Sequence, residues 1–325
     1  MSDAHRLVHE GLDGWLFLTG GANFVTTLYD RHSGHLPDAK LERWHAIIKE
    51  RVGRCRELGI DYVHVVVPEK LTIYGHKQSS PLVDPDLAPA VRLGERFANT
   101  PSSRHWIDLV ASMRAIRDDI DLYWKTDTHW TAEGCLLAYE MLCEALSLEP
   151  NNDLRARPFR EFAAIMDLGG KMNPVIWETI KEYEWVRDAE RVYANRVTQI
   201  LETPEYGGEI HVASHVKFAN PTAANEKRLL LFGDSFSSPR SNLLTGLLAE
   251  TVREVDFIWS ANIDWRYVES VRPDILVSEM PERFMALAPN DRFHLRLTEA
   301  KQIARAQRSR LKRWWRARRS RGEPA

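Results

Sequence analysis

Residues 62–67, YVHVVV, constrain the fold of this chain more than any other segment: a β-branched run without polar alternation, closed by Pro68. A strand of that kind is buried on both faces, which is the mark of a parallel sheet covered by helices. Just before it, residues 37–58 place Leu41, Trp44, Ile47, Ile48, Val52 and Cys55 at helical spacing, with Gly59 as the stop. After it, strands are expected over 106–109, 122–125, 228–232, 252–259 and 274–278, and helices over 132–146, 239–250 and 264–271. This alternation predicts an α/β fold: a three-layer α/β/α, flavodoxin-like parallel sheet whose functional loops follow the carboxyl ends of the strands.

The alternation lapses between about 151 and 225, where a polar stretch dotted with aromatics reads as a large insertion into one domain of residues 1–300. Residues 301–325 form a tail with ten Lys or Arg and one acidic residue, so a net charge of −2 divides into −11 on the body and +9 on the tail. Its core, 305–321, sets Trp314 and Trp315 among arginines. An anionic membrane surface, phosphate groups and solvated disorder are all open to it. A nucleic-acid role would rest on this tail alone.

Cys55, Cys135 and Cys143 have no metal-ligand spacing, and the last two, eight residues apart on one helix, are separated by roughly 12 Å of rise and cannot bridge. All three read as reduced core thiols, and no metal or cofactor is expected. Residues 1–10 are polar, without the basic and apolar regions of a secretory signal, and no apolar run reaches the length of a membrane span, so a cytoplasmic location is expected.

Chemistry is suggested where the strand RLLLF runs into Gly233, Asp234 and Ser235. Gly233 permits a tight bend, and Ser238 with Pro239 suits the cap and first position of a following helix. A serine in such a turn stands at the sheet's carboxyl edge, open to attack by a base from a neighbouring loop. Residues 123–134, YWKTDTHWTAEG, supply that base. Asp127 and His129 project to one side of an extended stretch, and Thr131 caps the helix that follows. Ser235 is then nucleophile, His129 general base and acid, and Asp127 the holder of its tautomer. The same two residues could merely cap the helix, and their pairing with the Ser235 turn in one sheet favours chemistry.

The blocks TDTHWTAEG (126–134) and FGDSFS (232–237) resemble the alginate-type SGNH-hydrolase-like acetyltransferases, the AlgX and AlgJ group. Echoes at 11–18, 66–74, 167–174 and 273–284 follow in the same order. In ordinary SGNH hydrolases the Gly-Asp-Ser block comes first; the reversed order here resembles the circularly permuted arrangement of that group. The resemblance implies an SGNH-hydrolase-like domain that transfers acetyl groups to hydroxyls of a polysaccharide or glycan through an acyl-serine, with Asp127, His129 and Ser235 in the family's catalytic positions. It also implies a membrane O-acyltransferase as acetyl donor and a periplasmic setting. An SGNH-type carbohydrate esterase would use the same residues, and a silent polysaccharide-binding or export scaffold would need none of them. Lys70, Tyr74, Glu279 and Arg283 follow strands in the echoing blocks and are expected to line the cleft, with ion pairing as the alternative. The Ser235 N–H is the expected oxyanion donor, with Asn262 as a second.

Overall fold

The computed structural model describes residues 7–20, 24–32, 34–203 and 210–320, the last ten by backbone alone. Trp314, Trp315 and the basic side chains from Lys312 onward therefore lie outside the described residues. Two short strands, β1 (Val8–Glu10) and β2 (Leu16–Leu18), pair antiparallel at the start. The helix read from apolar spacing is α1 (Asp38–Leu58), which buries Leu41, Trp44, Ile48 and Cys55. It ends where Gly59 takes a left-handed φ of 70°.

The buried run becomes β3 (Asp61–Val67), with every residue after Asp61 buried. The short helix α2 (Lys70–Ile73) follows, then α3 (Pro89–Phe97), β4 (Trp106–Ile107) and α4 (Leu109–Ile116). Strand β4 stops two residues short of its expected end because the Asp108 carboxylate accepts the N–H groups of Val110 and Ala111 and starts α4. Helix α5 (Ala132–Ala145) begins at Thr131, whose hydroxyl accepts the Gly134 N–H. Gly134 admits a close approach here: a Cβ would sit 2.2 Å from the Leu122 carbonyl oxygen.

Residues 151–225 hold the hairpin β5 (Phe159–Ile165) and β6 (Trp177–Tyr183), then β7 (Glu190–Ala194), α6 (Arg196–Leu201) and β8 (His215–Ala219). The chain closes with β9 (Asn225–Gly233), α7 (Leu244–Ala249), β10 (Val252–Trp259), α8 (Trp265–Val271), β11 (Ile275–Pro281) and α9 (Leu295–Ser320). Seven strands form one sheet in the order β4-β3-β11-β9-β10-β8-β7. The first five run parallel, and β8 and β7 extend the edge antiparallel. The fold is thus mixed α/β, a mostly parallel sheet flanked by helices, as an SGNH-hydrolase-like domain requires. No helix among the described residues is long and apolar enough to cross a membrane.

Two expected elements differ. Residues 122–125 are not a sheet strand; only Tyr123 pairs, with Trp130 of its own loop. The segment's backbone is bound by side chains instead, the Leu122 N–H by the Tyr74 hydroxyl and the Lys125 N–H by Glu178. The helix expected to open on Ser238 and Pro239 starts only at Leu244. Ser238 has a φ of 60°, and the chain folds back so tightly that a Cβ on Gly246 would lie 1.8 Å from the Ser241 carbonyl oxygen.

The three cysteines are free and buried, and burial pushes Cys55 up to about 12 and Cys143 up to about 11, as inert core thiols require. A larger electrostatic commitment lies at Glu250, 2% exposed at the end of α7. Its carboxylate accepts the N–H groups of Arg187, Asp188 and Ala189 and pairs with the buried Arg157 at 2.8 Å. Removing one partner of a buried ion pair strands the other charge, so Glu250→Ala is expected to cost about 3–5 kcal/mol in urea unfolding. A loss below about 1 kcal/mol would show that water reaches the pair.

Candidate active site

The loop between α4 and α5 carries Asp127 and His129, and local chemistry explains its shape. Asp127 Oδ1 accepts the His129 N–H at 2.8 Å, the aspartate turn that a D-x-H sequence favours, and also faces His129 Nδ1 at 2.6 Å. The opposite ring nitrogen, Nε2, lies 2.9 Å from Ser235 Oγ, delivered by the turn after β9. Asp127, His129 and Ser235 therefore form one hydrogen-bonded line across two loops 106 residues apart in the chain.

Burial opposes ionisation of Asp127, but its bonds from the His129 ring and the imidazole's charge outweigh this and hold it at about 2. Burial likewise disfavours the imidazolium of His129, and the Asp127 carboxylate more than compensates, raising the ring above its usual value. The ring packs 4.8 Å from Phe236, which also meets Trp130 edge-on at 5.1 Å. Its side chain keeps 31% exposure, so Nε2 and Ser235 meet at the floor of an open cleft.

That cleft has a volume of about 470 Å³ and is lined by Trp124, Trp130, Trp185, Trp259 and Tyr183 together with Lys181, Arg240 and Asn242. The Ser235 N–H has no acceptor among the described residues, whereas the Phe236 N–H is taken by Asp234 Oδ1. The Ser235 amide is thus free to face a negative oxygen formed on the Oγ side.

The other residues expected at the cleft sit beneath it. Lys70, 3% exposed, donates to the carbonyls of Trp124 and Lys125 at 2.9 and 2.8 Å. Burial pushes its ammonium down to about 7, against the pull of Asp127, Asp167, Glu178 and Glu69. Tyr74 accepts the Leu122 N–H at 2.8 Å and stacks on Trp15. Arg283 pairs with Glu69 at 2.6 Å and donates to the Thr128 carbonyl at 3.3 Å. Glu279 accepts the Ser237 hydroxyl at 2.6 Å. Lys70, Tyr74 and Arg283 lie past strand ends and Glu279 within β11, and their side chains support the two loops from below, none of them among the residues that line the cleft. The Asn262 carboxamide oxygen accepts the N–H groups of Asn290 and Asp291, which ties this residue to the loop before α9.

Sequence reasoning missed the contribution of the hairpin region. Glu178 of β6 accepts the N–H groups of Lys125 and Thr126 and the Thr126 hydroxyl, and Asp167 accepts both the N–H and the hydroxyl of Thr128. These bonds clamp the loop on either side of Asp127. The signal was DLGGKMNP, in which Gly169 lets the chain lie against Thr126: a Cβ there would meet the Ile176 carbonyl oxygen at 2.5 Å. Asp127, His129 and Asp167 come within 4.8 Å of one another, a spacing open to a metal ion. Each is already engaged, by Ser235, by Thr128 or by one another, so hydrogen bonding accounts for the cluster.

Over residues 8–262 the chain matches the family described as SGNH hydrolase-like domain, acetyltransferase AlgX. No curated protein matches it by sequence. Among solved structures it is similar to Bacillus cereus PatB1 with a sulfonyl adduct, at 16% identity and a TM-score of 0.57, covering 86% of this chain and 98% of that one. It is also similar to a DHHW family protein from Eubacterium siraeum (14%, 0.56, covering 85% and 90%) and to the O-acetyltransferase domain of Pseudomonas putida AlgJ (17%, 0.50, covering 93% and 99%). At these identities the likeness is one of fold.

Proposed function

The chain belongs to the AlgX family of SGNH hydrolase-like acetyltransferase domains, and from that membership we propose that it carries an acetyl group on Ser235 and passes it to a hydroxyl of a glycan. The observation that supports this most is the line Asp127–His129–Ser235 at the floor of an aromatic-walled cleft.

In this reading His129 Nε2 takes the Ser235 proton as Oγ attacks the acetyl carbonyl. The oxygen that becomes negative is met by the Ser235 N–H. Collapse expels the donor's leaving group, protonated by His129, and leaves acetyl-Ser235. A glycan hydroxyl then attacks, His129 takes its proton, and Ser235 Oγ departs and regains the proton. Tryptophan and tyrosine faces along the cleft suit the apolar faces of sugar rings.

The 31% exposure of His129 also admits water, and water in place of the sugar makes the same site an esterase. The two are separated by incubating the protein with an activated acetyl ester, with and without glycan oligosaccharides. Acetyl is expected on the Ser235 peptide by mass spectrometry, and oligosaccharide is expected to discharge it faster than buffer while gaining acetyl. Release as acetate at one rate regardless of oligosaccharide would favour the esterase, and acetyl on no Ser235 peptide would sink both.

A further inference from the structure

Two buried oxygens behind the Ser235 turn lack a hydrogen-bond partner: Asp234 Oδ2 and Glu279 Oε1. Both side chains bind donors within residues 234–237. Glu279, 1% exposed near the end of β11, accepts with Oε2 from the Ser237 hydroxyl at 2.6 Å and the Asp234 N–H at 3.2 Å. Asp234, 4% exposed, accepts the Phe236 N–H with Oδ1 at 2.9 Å. Gly233 leaves room for this packing, since a Cβ there would lie 2.9 Å from both Glu279 Oε2 and Ser237 Oγ.

The groups around the pair do not neutralise two negative charges. Arg283 faces Asp234, but its charge is already answered by Glu69 at 2.6 Å. From α5 the Cys135 thiol faces Glu279, and burial keeps it protonated. Burial drives Asp234 well above the usual carboxylate range, reinforced by the charge of Glu279. Burial also raises Glu279, against the bonds it receives from Ser237 and Asp234. Two carboxyl groups in contact in a dry interior cannot both ionise.

We propose that Asp234 and Glu279 share one proton at neutral pH, held on Asp234 Oδ2 and donated to Glu279, and that this pair sets the turn bearing Ser235. The orphaned oxygens are then the two ends of one hydrogen bond. Both are positioning residues that act through Ser235 and Ser237, and the kinetic consequence rests on Ser235 being the nucleophile. Loss of the shared proton places two repelling charges behind the turn. Reactivity is therefore expected to fall on the alkaline side, where a neutral His129 by itself would give a plateau.

The experiment combines infrared difference spectroscopy with the pH profile of labelling by a serine-reactive sulfonyl fluoride, on the full chain. At pH 8 the wild type is expected to show the carbonyl band of a protonated buried carboxyl group that Asp234→Asn removes. The asparagine amide donates as the carboxylic acid does, so this variant should label at neutral pH at a rate close to wild type and lose the alkaline decline. Asp234→Ala, which frees the turn, should label about 100-fold more slowly. Glu279→Gln gives a second route to the band: burial still keeps Asp234 protonated, but its acceptor is no longer charged, so the band should persist at pH 8 and shift in frequency. A band that Asp234→Asn leaves in place, a band unmoved by Glu279→Gln, or an alkaline decline unchanged in Asp234→Asn overturns the proposal. If the wild type itself does not label, the nucleophile assignment fails, while the band still decides the shared proton.

Discussion

Replacing Ser235 by alanine is expected to abolish covalent labelling by a sulfonyl fluoride and to lower acetyl transfer by about 10⁴–10⁶-fold, with the fold unchanged by circular dichroism. The size of the effect follows from the geometry. Among the described residues His129 Nε2 has one hydrogen-bond partner in the cleft, Ser235 Oγ at 2.9 Å, so without that hydroxyl the base has no nucleophile to activate. What remains is binding and the free backbone amide at position 235, which survives in alanine and can still polarise a carbonyl toward water. Little stability should be lost, because among the described residues the half-buried Oγ makes no bond besides the one to His129. Labelling of the alanine variant at the wild-type rate would move the nucleophile elsewhere.

Much of this arrangement was legible before any coordinates. RLLLF ending on Gly233 has few alternatives to a central strand, and β9 does lie between β11 and β10. In TDTHWT, Asp127 and His129 are two residues apart, close enough to bond in an aspartate turn without knowledge of the fold. Which loops meet is a long-range fact: Ser235 does follow β9, but residues 122–125 are no sheet strand, and the loop of Asp127 and His129 is held against the Ser235 turn by Glu178 and Asp167 instead.

The sequence was silent on the vertical direction of side chains near those loops. Lys70 and Arg283 sit two to three residues past a strand and Glu279 near the end of one, where a change of a few tens of degrees in the backbone decides between cleft and underside. Desolvation would normally argue against burying three charges. They are buried because each has a local answer, two carbonyls for Lys70, Glu69 for Arg283 and the Ser237 and Asp234 donors for Glu279. The edge strands β7 and β8 were hidden for a different reason. ERVYA and HVKFA are short, and β7 is mostly exposed, so they lack the apolar density that made β3 obvious.

Asp127→Asn is expected to lower the rate of Ser235 acylation by about 10⁴-fold while leaving the three side chains in place. An asparagine oriented to accept the His129 N–H at the main chain has its own amide protons to place, and the carboxylate that fixes the Nδ1 proton is gone, so the ring loses the tautomer that presents a basic Nε2 to Ser235. The pH profile separates this from simple misfolding. In the wild type His129 must be neutral to act as base, and because Asp127 raises its pKa above 6.5, activity is lost as pH falls through a value above 6.5. In the asparagine variant the charge that raised it is absent, while burial and the nearby Arg283 still disfavour the imidazolium, so the remaining activity should persist to lower pH than in the wild type. A drop in rate with the acid limb unmoved would mean that Asp127 orients the ring without setting its charge. Loss of rate with loss of near-ultraviolet circular dichroism would instead make Asp127 a cap for the loop that His129, Thr128 and Asp167 share, the alternative that the sequence alone left open.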